Sequence, residues 1–305
     1  MNEIEQDRIR GCAVGAVCGD ALGMPLEFAP PNPLDALVRE MISGRLPAGS
    51  FTDDTEMALA VAESLLATHD LDPSDLARRF LIWYKTNPPD VGLFTSMVLQ
   101  GVLQGLGWEE AARRAQEHSP HSASNGSLMR CWPVAIARWR DWQRLLAESA
   151  LQSRVTHHHP DCVAACVFVN AMIYEMIHGV HKTDALGICL ELDLPEELRT
   201  VIRMAPSRKR GALRNTGWVH HTMEAVVWGL VNTDTFEDAL VEVVNLGSDA
   251  DTAGTVVGAL AGAYYGLGAI PDRWVKTICG LWLPRTGIKI GAGEIITMAD
   301  RLSGL

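Results

Sequence analysis

Residues 11–23, GCAVGAVCGDALG, and residues 247–266, GSDADTAGTVVGALAGAYYG, carry a glycine at every fourth position: Gly11, Gly15, Gly19 and Gly23 in the first, Gly254, Gly258, Gly262 and Gly266 in the second. A four-residue step stays on one face of an α-helix, so each segment presents a stripe without side chains. Glycine inside a helix costs about 1 kcal/mol relative to alanine, so something must approach each stripe closely. Tight packing against any neighbouring helix would explain each stripe singly. The sharper expectation is that the two helices meet each other in the core and bring their adjoining loops together.

Working outward, apolar residues recur at three- and four-residue steps in 57–67, 98–106, 162–177, 222–231 and 254–265, which predicts helices there. No sustained strand alternation is present. Breakers at Pro30–Pro33, Gly44–Gly49, Asn87–Pro89, Ser119–Asn125, His157–Pro160 and Pro206–Gly211 mark loops between helices. No low-complexity linker divides the 305 residues, so an all-α, single-domain helical bundle over 1–305 is expected, with 48% apolar content sufficient for a continuous core. The uncharged run Thr252–Ile270 approaches the length of a membrane span, but its glycines, the aspartates at its head and Pro271 at its foot favour a buried helix. No membrane partner is expected.

A net charge of −11 argues against a nucleic-acid partner, because phosphate affinity comes from clustered Lys and Arg. The one basic run, Arg208-Lys209-Arg210 with Arg214, reads first as a solvated loop and second as a phosphate or partner contact. Seven cysteines without a CxxC pair argue against a disulfide framework and fit a reducing cytosol. The charged start MNEIEQDRIR lacks the apolar core of a signal peptide, so the expected location is cytoplasmic. Cys162 and Cys166 read as core residues.

The chemistry lies at the mouths of two helices. FTDDTEMALAVAESLL (51–66) places Thr52, Asp53 and Asp54 just before a strongly amphipathic helix. Capping of orphan backbone N–H groups explains one of these residues, not three. Adjacent carboxylates repel unless a cation or proton lies between them. GSDADTAG repeats the arrangement with Asp249, Asp251 and Thr252. Together the clusters offer six oxygen donors, enough for two Mg2+ or Mn2+ ions; oxygen-only ligation selects such hard cations over zinc.

GCAVGAVCGDALGMPLEF, FTDDTEMALAVAESLL, SNGSLMR and GSDADTAGTVVGALAGAYYG, in this order, resemble the ADP-ribosylglycohydrolase family, nearest to its dinitrogenase-reductase-activating branch. GWVHHTMEAVVWGL (217–230) resembles the helix before the family's second acidic motif. The closing motif reads GSDAD where many relatives have GGDTD. The resemblance spans residue 11 to about 275. It implies an orthogonal helical bundle with a dinuclear Mg2+ or Mn2+ centre on Thr52, Asp53, Asp54, Asp249, Asp251 and Thr252. It further implies hydrolysis of the bond between ADP-ribose and a protein side chain, arginine being the usual leaving group of that branch.

The same resemblance assigns further residues. Glu27, otherwise a surface charge beside Pro30, matches a glutamate that approaches the metals and the scissile ribose, and it is the first choice for handling the proton. Asp90 in PPDVG matches an aspartate near the leaving side chain, while a turn-forming role explains it equally well. Ser124, Asn125, Gly126 and Ser127 offer free backbone N–H groups suited to a diphosphate, with a capped turn as the alternative. His157, after Thr156, matches a residue lining the ribose or adenine pocket. Gly247 and Ser248, opening the second acidic motif, are placed with the substrate-binding residues. The expected partners are an ADP-ribosylated protein, ADP-ribose and, as biological counterpart, an ADP-ribosylating enzyme or toxin. Two rival readings keep the fold: hydrolysis of another conjugate (serine-linked, acetylated ADP-ribose or a modified nucleic acid base), or an immunity protein that binds a toxin.

Overall fold

The computed structural model describes residues 1–305. In chain order the helices are α1 (Glu3–Gly23), α2 (Asp53–Thr68), α3 (Pro73–Tyr84), α4 (Leu93–Leu103), α5 (Trp108–His118), α6 (Trp132–Ala137), α7 (Trp142–Arg154), α8 (Pro160–Ile177), α9 (Lys182–Cys189), α10 (Glu196–Met204), α11 (Val219–Val231), α12 (Phe236–Val244), α13 (Ala250–Tyr265), α14 (Asp272–Thr277) and α15 (Ala292–Leu302). The fold is the expected all-α bundle. Four of the five apolar runs lie within helices and the run 98–106 overruns α4 by three residues, while each breaker cluster falls between these helices or at a helix end.

The glycine stripes of α1 and α13 face each other. A Cβ placed on Gly11, Gly15, Gly19 or Gly23 would collide with the backbone of Gly262, Gly258, Gly254 or Ala250 respectively. The glycines of α13 meet α1 in the same way, so the pairing is antiparallel and backbone lies directly on backbone. Beyond its charged first turns α1 is buried from Gly11 to Gly23, and α13 is buried from Ala250 to Ala263, as expected of core helices rather than surface ones. Around this seam α2, α6, α8, α11, α12 and α15 complete a cluster of 83 buried apolar residues, which holds Cys162 and Cys166. Helices α4 and α5 form a second, small cluster of Phe94, Val98, Ala111, Ala112 and Ala115.

The seam decides where the chemistry sits. The C-terminal end of α1 and the N-terminal end of α13 finish side by side, and α2 starts at the same place, joined to α1 through Asp20. Two helix N-termini thus point their unpaired N–H groups and positive dipole ends at one spot, where carboxylates are favoured.

Two strands were not expected from the sequence. Cys279–Trp282 and Ile288–Gly291 pair antiparallel, Cys279 opposite Gly291 and Trp282 opposite Ile288. Four residues per strand give too little alternation to register as a pattern. The hairpin steadies the approach to α2: Cys279 N–H donates to the Gly49 carbonyl at 2.8 Å, and the Phe51 ring lies where a side chain on Gly280 would be. The basic run lies at the surface, with Arg208, Lys209 and Arg214 exposed, and two of its side chains are also paired. Arg208 pairs with Glu224, and Arg210 pairs with Glu242 while donating to the carbonyls of Asn32 and Asn245. All seven cysteines are free.

Candidate active site

A cavity of about 530 Å³ opens at the joined helix ends. Its wall includes Glu27, Asp53, Asp54, Asp90, Ser124, Asn125, Gly126, Ser248, Asp249, Asp251 and Thr252, so segments up to 225 residues apart in the chain converge there. Four of the sequence candidates stand behind the wall instead. Thr52 caps α2: its hydroxyl donates to Asp20 at 2.9 Å and accepts from Asp54 N–H at 3.4 Å. Ser127 turns inward to Ser153 Oγ at 2.8 Å, so it anchors the turn and does not face a ligand. Gly247 serves through its backbone, since a side chain there would strike the Ala29 carbonyl. The His157 ring lies behind Ser124 and Gly126, with its Nε2 2.9 Å from Ser124 Oγ.

Glu27 is brought to the second acidic motif by a reciprocal backbone bridge. Phe28 N–H donates to the Ser248 carbonyl at 2.6 Å, and Ser248 N–H donates to the Ala29 carbonyl at 2.8 Å. Phe28 and Ser248 both hold left-handed backbone angles, φ 62° and 56°, which non-glycine residues adopt only when the surroundings impose them. Gly247, at φ 68°, completes the sharp entry into α13. Asp249 is oriented from the other side. Asn125 Nδ2 donates to its carboxylate at 2.5 Å and to Thr222 Oγ1 at 2.8 Å, while Asn215 holds the backbone carbonyls of Gly247 and Asp249 at 2.8 and 3.1 Å.

Two residues of the site escaped the sequence reading. Asp20, fully buried on α1, accepts from Thr52 N and Thr55 N at 3.1 and 3.0 Å and from the Thr52 and Thr55 hydroxyls at 2.9 and 2.6 Å. The signal was present: a lone carboxylate within an otherwise apolar glycine helix needs dedicated partners. Arg45 comes from the loop before α2 and pairs with Glu27, Asp90 and Asp251, the last at 3.2 Å. No local pattern marks Arg45. The carboxylates of Glu27, Asp90 and Asp251 lie within 4.8 Å of one another.

Burial and mutual repulsion disfavour the ionised forms of Glu27, Asp53, Asp54 and Asp251. Burial, then the charge of Asp90, pushes the Glu27 carboxyl up to about 7, and burial pushes Asp20 up to about 6 against the hydrogen bonds it receives. Asp53, Asp54 and Asp251 are raised well above the ordinary carboxylate range, by burial first and neighbouring carboxylates second. The Asp54 Oδ1 atom is buried with no hydrogen-bond partner. Oxygen donors alone, repelling one another, with a buried lone pair left unsatisfied, fit hard divalent cations.

The ADP-ribosylglycohydrolase family model matches residues 1–305. An ADP-ribosylarginine hydrolase, Tri1, of Pseudomonas putida (strain GB-1) is 32% identical over 283 residues, covering 89% of this chain and 74% of its own. The ADP-ribosyl-[dinitrogen reductase] glycohydrolase of Rhodospirillum rubrum is 34% identical over 283 residues, covering 89% of this chain and 90% of its own. A solved structure described as an ADP-ribosylglycohydrolase-related protein complex superposes with a TM-score of 0.82 at 32% identity, covering 99% of both chains. Motif order, helical frame, acidic cavity and these similarities agree: the chain belongs to the ADP-ribosylglycohydrolase family and is a hydrolase of that kind.

Proposed function

We propose that this enzyme hydrolyses the bond between the anomeric carbon of ADP-ribose and a guanidinium nitrogen of arginine on a modified protein. The observation that carries the choice of arginine is the seat of Arg45. The protein's own guanidinium rests on Glu27, Asp90 and Asp251, so this corner of the cavity has the charge and the spacing that an arginine leaving group requires. Two relatives named for ADP-ribosylarginine and for dinitrogen reductase support the same reading.

The residues that would hold the metals are Asp53, Asp54, Asp249, Asp251 and Thr252 around the cavity, with Thr52 at its base. Divalent cations bound there, Mg2+ or Mn2+, would neutralise the carboxylates and supply Lewis-acid activation beside the ribose. Glu27 carries the proton. Burial and the neighbouring Asp90 charge raise its pKa in the cation-free site, and a positioned carboxyl group suits general acid–base work contributing about 10²- to 10⁴-fold in rate. Asp90, aimed at the same guanidinium seat, holds the departing side chain. Asn125 keeps Asp249 turned toward the cavity.

The test is incubation with arginine-ADP-ribosylated protein, with and without Mg2+ or Mn2+, following free ADP-ribose. Cation-dependent release is expected. Release from serine-linked or acetylated ADP-ribose but not from arginine would overturn the choice of linkage.

A further inference from the structure

Behind the Ser124–Ser127 turn lies an arginine with an unusual set of partners. Arg130 is fully buried, yet no carboxylate receives its hydrogen bonds. Its Nη2 donates to Thr156 Oγ1 at 2.6 Å and to the Gln152 carbonyl at 3.4 Å, its Nε reaches Gln152 Oε1 at 3.4 Å, and its guanidinium carbon lies 4.2 Å over the Phe80 ring. Thr156 Oγ1 has one other polar neighbour, His157 Nδ1 at 2.7 Å. On the far side of the ring, His157 Nε2 lies 2.9 Å from Ser124 Oγ.

The directions of these bonds follow from the atoms. Arginine has donors and no acceptor, so Thr156 accepts from Arg130. The buried Thr156 hydroxyl has one hydrogen, and its one remaining partner is Nδ1: donation to Nδ1 satisfies both groups, whereas a proton on Nδ1 would leave the hydroxyl hydrogen unpaired. A neutral imidazole with an accepting Nδ1 carries its proton on Nε2 and donates it to Ser124. Ser124 then accepts inside the protein, and its own hydrogen, given no other protein partner, is left for an acceptor in the cavity that Ser124 lines. Burial and the Arg130 charge lower the His157 pKa well below its ordinary value, in keeping with a neutral ring. The ring is also held mechanically: Phe94 packs against it at 4.9 Å, Gly126 leaves room for it, and His157 N–H donates to the Ser153 carbonyl at 2.7 Å.

We infer that Arg130 and Thr156 are positioning residues that lock His157 in its Nε2–H tautomer, and that this polarity makes Ser124 a hydrogen-bond donor to an acceptor oxygen of the bound ADP-ribosyl group. The second half rests on the functional reading above; the first half does not. A serine free to rotate would lose part of its affinity in being ordered, whereas one whose accepting role is already filled meets its ligand as a donor.

The tautomer is read on the ligand-free wild type by nitrogen-15 NMR of histidine-labelled protein, with the His157 signals assigned by their loss in His157→Gln. A protonated Nε2 and an unprotonated Nδ1 are expected; a proton on Nδ1, or on both nitrogens, overturns the relay. Binding is read with ADP-ribose by calorimetry. Thr156→Val and Ser124→Ala should each weaken it about tenfold, the double variant no further, and Thr156→Ser should restore it. Additive losses, or Thr156→Val binding as well as wild type, overturn the coupling. Absence of ADP-ribose binding by the wild type overturns the functional reading and the donor role of Ser124, and leaves the tautomer to be decided by the spectrum.

Discussion

Asp20 and Thr52, separated by 32 residues in sequence, are joined twice: the Thr52 amide donates to the Asp20 carboxylate at 3.1 Å and the Thr52 hydroxyl to the same carboxylate at 2.9 Å. Through this pair the last turns of α1 fix the first turn of α2, and with it the placement of Asp53 and Asp54. Asp20→Asn would put an amide N–H₂ against donors from Thr52 or Thr55. The expected loss is about 2 kcal/mol of stability, together with weaker divalent-cation binding. Urea denaturation and calorimetry check both, and an unchanged cation affinity would show that the α1–α2 tie does not set the metal donors.

Gly258 sits in the middle of the α1–α13 seam, where a methyl group would meet the Gly15 carbonyl and its carbon. Neither partner is a flexible side chain, so relief requires the two helices to separate. Gly258→Ala is expected to destabilise by about 3 kcal/mol or more, at the upper end for an overpacked core. A denaturation midpoint equal to that of wild type would mean that the backbones are not in contact there.

Arg45 pairs with three carboxylates that the proposed metals and the proposed substrate also use. It therefore competes with both. Arg45→Ala should bind Mg2+ or Mn2+ about tenfold more tightly, corresponding to about 1.4 kcal/mol, while its cation-free form melts at a lower temperature because the carboxylates are left unpaired. Weaker cation binding in the variant would assign Arg45 a supporting role instead.

The carboxyl shifts predict how stability without cations depends on pH. An acid whose pKa is higher in the folded than in the unfolded state binds its proton more tightly when folded. Its contribution is therefore complete below the unfolded value near 4 and is lost as pH rises through about 6 for Asp20 and about 7 for Glu27. In a chelator, the melting temperature should fall between pH 5 and pH 8. Adding Mg2+ should raise it more at pH 8 than at pH 5, by about 5 °C or more, because cations bind the deprotonated carboxylates. Equal rises at the two pH values would argue that the cation binds elsewhere.

Much of this molecule was legible in its sequence because its decisive contacts are periodic. The glycine step named both partners of the central seam, and the two Thr/Asp clusters named the helix mouths that the seam brings together. Glu27 and Asp90 needed a family resemblance, since nothing local separates them from a surface charge and a turn residue. What stayed hidden was set by tertiary direction rather than by composition. Ser127 has a residue type suited to a ligand, but its hydroxyl is committed to Ser153. Arg45 reaches the cluster from a loop of irregular conformation, and Arg130 looks like any helix-flanking arginine until its partners are known. The short hairpin was missed because four-residue strands leave no readable alternation.

Because α1 and α13 meet backbone to backbone at their glycines and α2 is tied to α1 through Asp20, the gap between the acidic walls works as a gauge set by main-chain approach more than by the size of core side chains. Divergence in what such an enzyme accepts must then be written in the segments that rest on this frame without forming it: the loop carrying Phe28 and Arg45, the Asp90–Thr95 edge and the Ser122–Gly126 turn. Exchanging these segments between relatives should move substrate preference while the acidic cluster travels unchanged with α1, α2 and α13.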